Sequence, residues 1–496
     1  MDKKSLIKFA PILIILFLLV IIVVGLLRRN EEPEIVVTII ETEDGEIQIV
    51  QRAPADIPDL ETRSEIRTAL TTQELQNVRP SGAGQMPVRY DPDFVHMEGQ
   101  PFPKLAINTD GNRLVLSRQI RIPATFHLSN APEWMAFEDI RGDIRGRGNS
   151  SWDLMPKRSW NIRFDTAQTF AGSTHAARSW VLISNFADKS LLRNYAAKHF
   201  AGQLDSMYFT PFSTIVDLYK NGVYWGVYLL TDQRNLEEGR IDLYLNDDPT
   251  TSEYMLEFCM RRISQGGILG IDFIVINGNG YDIRFPSGNM ATRAHGDYAL
   301  QFLTNVERLL NLRDDSVFDY ICLDSFVDFY IVQEWFKDQD AGFSSVFMQI
   351  RGQGDERRLE MGPVWDFDIA AGNAYYTPAH AGGYSPHGIW AGYIHRWYRQ
   401  LLRMPIFYDA LHARWLEIRD TIIVDTLMHV RSVAEKYQEG FERNFDRWNS
   451  MGFYVWPNPR PVWTIDTFMG QVDYLIWFLE ERAFWFDEWL QNNRPR

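Results

Sequence analysis

The sequence predicts an α+β protein, strand-rich in its first half and helical in its second, with one membrane-spanning helix ahead of both. Three observations carry this expectation. Period-two segments separated by Gly and Asn turns run to about residue 290, apolar residues then recur at helical spacing, and Phe9 to Leu27 contains no charged residue.

With 496 residues, 45% hydrophobic and 14% aromatic, the chain can bury a large core and build two lobes. Its net charge of −15 opposes the phosphate neutralisation that nucleic-acid binding requires, so no nucleic acid is expected as a partner. A cation, a metal-bound nucleotide or a protein suits that balance better.

Residues 1–30 read as a membrane anchor, because FAPILIILFLLVIIVVGLL spans roughly 28 Å as a helix, about the thickness of the hydrocarbon layer. No short apolar core with an Ala-x-Ala site marks it as a cleaved leader. Lys3, Lys4 and Lys8 outnumber Arg28 and Arg29, which favours a cytoplasmic N-terminus and an extracytoplasmic folded part. Residues 31–87 form an acidic and then polar stalk, in which EIVVTII and EIQIVQ flank Asp44-Gly45 and are predicted to pair as a hairpin.

Within residues 88–290, LAINTDG, RIPATFHL, SWNIRF, TIVDLY with VYWGVYLL, EYMLEF, and DFIVINGNGYDIRF alternate as strands do. Within 291–496, LQFLTNVERLLNL, VFDYICLDSFVDFYIVQEWF, RWYRQLLRM, the run from Phe407 to Phe441, and MGQVDYLIWFLEERAFWFDEWL repeat at helical spacing. A cleft between two such lobes is the expected ligand site. Cys259 and Cys322 read as free buried thiols, the aromatics from Trp390 to Trp397 as core, and the ten His show no zinc-type i, i+4 pair.

Two stretches carry chemistry. In Gly362-Pro-Val-Trp-Asp366-Phe-Asp368, two carboxylates one residue apart lie among apolar neighbours, where unpaired negative charge is costly and a cation is called for. A hard divalent ion accepts one or two carboxylates and completes its shell with water and phosphate oxygens. As a bare pattern such a turn also occurs with Asp in a capping role. The second stretch runs from Arg145 through Arg147-Gly-Asn149-Ser150-Ser-Trp152 to Lys157. Its turn leaves N–H groups to face an anion, with Arg147 and Lys157 adding positive charge.

Taken in order, RGRGNSSW with PKRSWNIRF, SWVLISNFADKSLLRNYAAKHF, YKNGVYWGVYLLTDQ and GPVWDFDIAAGN resemble the CotH family of spore-coat-type atypical protein kinases over roughly residues 100 to 490. The resemblance implies a divergent protein-kinase-like fold that binds ATP with Mg²⁺ or Mn²⁺ and phosphorylates Ser or Thr of protein substrates such as envelope or coat proteins. It implies nucleotide contacts at Arg147, Asn149, Ser150 and Lys157, with Asp232 standing where the family has Glu and able to pair with Lys157. Asp366 and Asp368 are the implied metal ligands, Ser345 stands at the second-metal Asn position, and Asp340 is the catalytic-loop Asp. Asp338 competes with Asp340 as base, and Arg193 is the weaker of the phosphate-contact candidates. A kinase-shaped assembly protein without phosphotransfer, or a metal-dependent hydrolase using the same Asp residues, would carry the same motifs.

Overall fold

The computed structural model describes residues 36–41, 47–52 and 102–495, apart from 132, 134, 235, 238 and 376–382. The predicted membrane span at Phe9 to Leu27 lies outside the described residues. Among those described, no helix is long and apolar enough to cross a membrane.

In the stalk, β1 (Val36–Glu41) and β2 (Ile47–Arg52) pair antiparallel with Ile39 opposite Ile49, which is the hairpin expected around Asp44-Gly45. It is a unit separate from the rest of the chain.

The described residues from 102 onward form one compact unit. Its first strands are β3 (Lys104–Thr109), β4 (Ile122–Ser129), β5 (Phe137–Arg147), β6 (Ser159–Thr169), β7 (Ala176–Ile183), β8 (Ser213–Lys220) and β9 (Val223–Asp232). They close into a barrel in the order β3-β4-β5-β6-β7-β9-β8, sealed by a parallel pairing of β3 with β8 from Lys104 opposite Asp217 to Ile107 opposite Lys220. Alternation explains the filling. Leu105, Ile107, Ala124, Phe126, Ile144 and Phe164 point inward and are wholly enclosed, with Phe126 edge-on to Phe164 at 5.1 Å.

A second sheet has the order β11-β12-β10-β13-β14, built from β10 (Tyr254–Phe258), β11 (Phe273–Ile276), β12 (Asn279–Phe285), β13 (Val346–Arg351) and β14 (Arg358–Met361). The last two strands come from the half expected to be helical. VFMQIR pairs with β10 and is buried at five successive positions, Gln349 included, so β13 lacks the alternation that would announce it, and β14 has only four residues.

The helices are α1 (Ser150–Asp153), α2 (Arg193–Gly202), α3 (Arg293–Leu312), α4 (Leu323–Trp335), α5 (Ala391–Ile394), α6 (Arg396–Leu401), α7 (Pro405–Ile418), α8 (Ile422–Lys436), α9 (Gln438–Arg447), α10 (Arg460–Thr464) and α11 (Phe468–Asn492). The predicted helix from Val317 starts only at Leu323, because Tyr320 and Cys322 exchange backbone hydrogen bonds with Leu359 at the edge of β14. The long run from Phe407 to Phe441 divides into α7, α8 and α9. α4 packs on α7, and α8 lies between α2 and α11. Cys259 and Cys322 are both unbridged, Cys259 buried and Cys322 half-buried.

Candidate functional site

A cavity of about 740 Å³ opens where the β5–β6 turn, the ends of β10 and β12, the loop after α4 and the loop after β14 meet. Arg147, Asn149, Ser150, Asp340, Ser345, Asp366 and Asp368 all line it, so residues from three separate stretches of chain converge on one space.

The Asp366-Phe367-Asp368 turn is braced from behind by α2. Arg193, ion-paired with Asp188 at 2.6 Å, donates to the carbonyls of Ala370 and Ala371, and the Asn194 side chain accepts the Phe367 N–H at 2.8 Å. Arg193 is therefore a brace and does not reach the cavity. Asn373 donates to the Asp368 carbonyl at 2.6 Å. Asp366 itself is held at φ 73 and Ser345 at φ 61, left-handed conformations that a non-glycine residue adopts only when its surroundings fix it.

The carboxylates crowd one another. Burial, and then the charges of Asp366, Asp340 and Asp188, push the Asp368 carboxyl well above its ordinary range. Burial and the charge of Asp366 raise Asp340 to about 7, against the pull of Arg261. Asp338, deeper still and off the cavity wall, is raised well above normal by burial and Asp340, and it accepts the Asp340 N–H. Such a cluster of enclosed oxygens suits a divalent cation, which would relieve the repulsion. Ser345 Oγ lies 3.3 Å from Asp366 Oδ2, so its hydroxyl joins the same donor set. Among the described residues no three His, Cys, Asp or Glu side chains gather closely enough to hold an ion by themselves.

Facing the carboxylates is positive charge. The Trp365 ring has three cations around it: Lys198 Nζ at 4.5 Å, the Arg234 guanidinium at 4.8 Å and that of Arg147 at 5.5 Å. Burial lowers Arg147, with Asp366 and Asp368 opposing, and it brings Arg234 down to about 10 and Lys198 to about 7. Among the described residues the guanidinium of neither Arg147 nor Arg234 makes a hydrogen bond, though Glu257 lies 4.0 Å from Arg234, so both bring spare donors to the cavity.

Lys157 and Asp232 are placed elsewhere. Lys157 is wholly enclosed and gives its three N–H donors to the carbonyls of Ser184 and Val227 and to Asn444 Oδ1, at 2.6 to 2.8 Å. The pairing of Asp232 with Lys157 is not formed: Asp232 binds Arg240 at 2.7 Å and His175 at 2.9 Å and accepts the Phe212 N–H. Lys157, just before β6, is enclosed between β9, the segment after β7 and α9, away from the turn.

Sequence reasoning missed Arg234, Glu257, Arg261, Asp282 and Arg284, which complete the wall. A signal was present: Glu257 in β10 and Asp282 with Arg284 in β12 are charges inside apolar strands, and Asp282 and Arg284 share one face by their spacing of two. Trp390, expected in the core, also lines the cavity.

Compared with known families, residues 144–486 match the family model described as CotH kinase protein. No curated protein matches the chain.

Proposed function

We propose that this chain, a member of the CotH kinase protein family, transfers the γ-phosphoryl group of ATP to Ser or Thr hydroxyls of protein substrates, in a kinase-like cleft tethered to a membrane. The observation that carries the reading is the meeting, in one cavity, of three Asp carboxylates with two guanidiniums that lack hydrogen-bond partners among the described residues. Phosphoryl transfer asks for that pairing: metal-directing oxygens on one side of the triphosphate and fixed positive charge on the other.

Asp366, Asp368 and the Ser345 hydroxyl would hold Mg²⁺ or Mn²⁺, which supplies charge neutralisation for the β- and γ-phosphates. Arg147, Arg234 and the backbone of the Gly148–Ser151 turn bind phosphate oxygens. Met155, Ala187, Ile369, Trp456 and Pro457 give the cavity wall apolar surface for the base. Asp340, on the cavity wall beside these oxygens, orients the acceptor hydroxyl and receives its proton. The uncharged run from Phe9 to Leu27 supports a single-pass anchor, with the catalytic part extracytoplasmic and envelope or coat proteins as substrates.

Calorimetry with ATP and Mg²⁺, paired with a transfer assay on the full-length chain, tests this. Asp366→Ala should lose metal-dependent nucleotide binding, whereas Asp340→Ala should bind nearly as the parent does and transfer nothing. Binding and transfer unchanged in both variants would sink the assignment. Nucleotide binding without transfer to any protein would favour a kinase-shaped assembly protein.

A further inference from the structure

Asp340 has a neighbour that the nucleotide reading leaves unused. The Arg261 guanidinium lies 5.0 Å over the Phe343 ring, and its Nη2 donates to Ser344 Oγ at 3.3 Å, which in turn donates to Asp340 Oδ2 at 3.3 Å. One hydroxyl thus separates Arg261 from the residue that meets the acceptor. The Nε of Arg261 is buried without a hydrogen-bond partner. Its backbone is pinned there too, since the Met260 N–H donates to the Phe343 carbonyl at 2.9 Å.

The carboxylates of β10 and β12 are already engaged by other guanidiniums. Asp282 is taken by Arg262 at 2.6 Å, and Glu257 receives Arg284 at 2.7 Å with Arg234 at 4.0 Å. Two carboxylates thereby serve three guanidiniums, and among the described residues Arg261 is a fourth with no carboxylate within ion-pair distance. Close to it in sequence, Met260 and Ile263 are each 49% exposed, and Phe343, on the cavity wall, is 40% exposed.

We propose that Arg261 is a specificity-determining residue for the acceptor chain, receiving an anionic side chain close to the Ser or Thr that Asp340 engages. The inference rests on the phosphotransfer reading above. The ligand chemistry is a carboxylate or a phosphate monoester, both of which fit the planar fork of an Arg. Two hydrogen bonds in series link Arg261 to Asp340, and an extended chain advances about 3.3 Å per residue, so the anion belongs within about three positions of the acceptor. Phe343 holds the guanidinium plane so that its outer edge faces the incoming chain.

Fluorescence anisotropy on the full-length chain at low salt provides the test. The probes are labelled peptides with a central Ser flanked by Glu, by phosphoserine, by Ala or by Lys. An anionic flank should bind about tenfold tighter than Ala, and Lys weakest of all. Tighter binding of the Glu peptide identifies carboxylate as the source of the anion, and of the phosphoserine peptide alone, phosphate. Arg261→Ala should level the series, and Arg261→Glu, with circular dichroism unchanged, should favour the Lys peptide. Lys binding as well as Glu and phosphoserine, or no peptide binding at all, would overturn the proposal. So would a weakened affinity of Arg261→Ala for ATP and Mg²⁺, since Arg261 would then be a nucleotide contact. Failure of the parent chain to bind ATP and Mg²⁺ would instead sink the phosphotransfer reading, and the peptide series would still report the charge preference.

Discussion

Lys157 shows how a single residue changes meaning once its surroundings are known. Burial holds its ammonium well below the ordinary lysine range, opposed by the charges of Asp188 and Asp217, and three acceptors consume its donors. It ties β9 and α9 to the turn between β7 and α2, through Val227, Asn444 and Ser184. Lys157→Ala should therefore destabilise the protein by on the order of 3 kcal/mol, since three buried acceptors lose a charged donor. Denaturant titration would register the loss, while affinity for ATP and Mg²⁺ in the fraction that stays folded should match the parent. A normal unfolding midpoint with weakened nucleotide binding would restore the phosphate-contact role for Lys157. Arg193 teaches the complement, because a cation in a helix beside the key turn serves the turn's backbone and not the ligand.

At the scale of elements, the phosphate-facing turn depends on one close contact. Gly146, late in β5, lies under the Trp152 indole, and an added Cβ would meet ring carbons at 2.1 Å. Gly148, with φ +104, adopts a backbone conformation that side chains disfavour, and a Cβ there would strike Ser151 Oγ at 2.3 Å. Gly146→Ala should push Trp152 and α1 aside, costing about 1–3 kcal/mol as overpacking does and weakening nucleotide binding through the displaced Gly148–Ser151 backbone. A thermal melt alongside calorimetry separates the two effects, and an unaltered affinity would mean that the turn does not touch the nucleotide. The 3.6-residue pattern found α3, α4, α7, α8 and α11, yet it overran the start of α4 because backbone pairing with Leu359 outcompeted helix propensity at Tyr320 and Cys322.

Across the whole molecule, α11 is tied to the cavity by a buried charge pair. Arg482 pairs with Glu334 of α4, and Glu334 also accepts the backbone N–H groups of Trp390 and Gly392 and the Tyr330 hydroxyl. Arg482→Met would leave an enclosed carboxylate unpaired, at a cost of about 3–5 kcal/mol, and Arg482→Met with Glu334→Gln should recover part of it. Equal melting temperatures for parent and single variant would refute this coupling. His395, between α5 and α6, adds a pH dependence: burial and then Arg396 hold its imidazole down from 6.5 to about 3, and its Nδ1 has no partner. Only the neutral ring suits the fold, so its contribution is full above 6.5 and is lost as pH falls towards 3. Urea midpoints of His395→Leu should consequently fall less steeply on acidification than those of the parent, the difference approaching roughly 1.4 kcal/mol per pH unit within that window. Parallel slopes would rule it out.

The sequence alone determined the α+β class, the hairpin at Asp44-Gly45, most helices, the free cysteines and, through ordered motifs, the family. Each of these rests on local periodicity, turn chemistry or short runs of residues, which survive without knowledge of neighbours. It also singled out the stretches whose side chains meet in the cavity: Arg147 to Ser150, Asp340 to Ser345 and Asp366 to Asp368. Tertiary structure alone decided that β13 and β14 extend the second sheet, because β13, buried on both faces, carries no alternation to read and the four residues of β14 are too few to show a period. It alone removed Lys157 and Asp232 from the cavity and set Arg234 and Arg261 on its wall. Where a charged side chain ends up depends on which distant acceptors enclose it, and for Lys157 those are Ser184, Val227 and Asn444, up to 287 residues away along the chain.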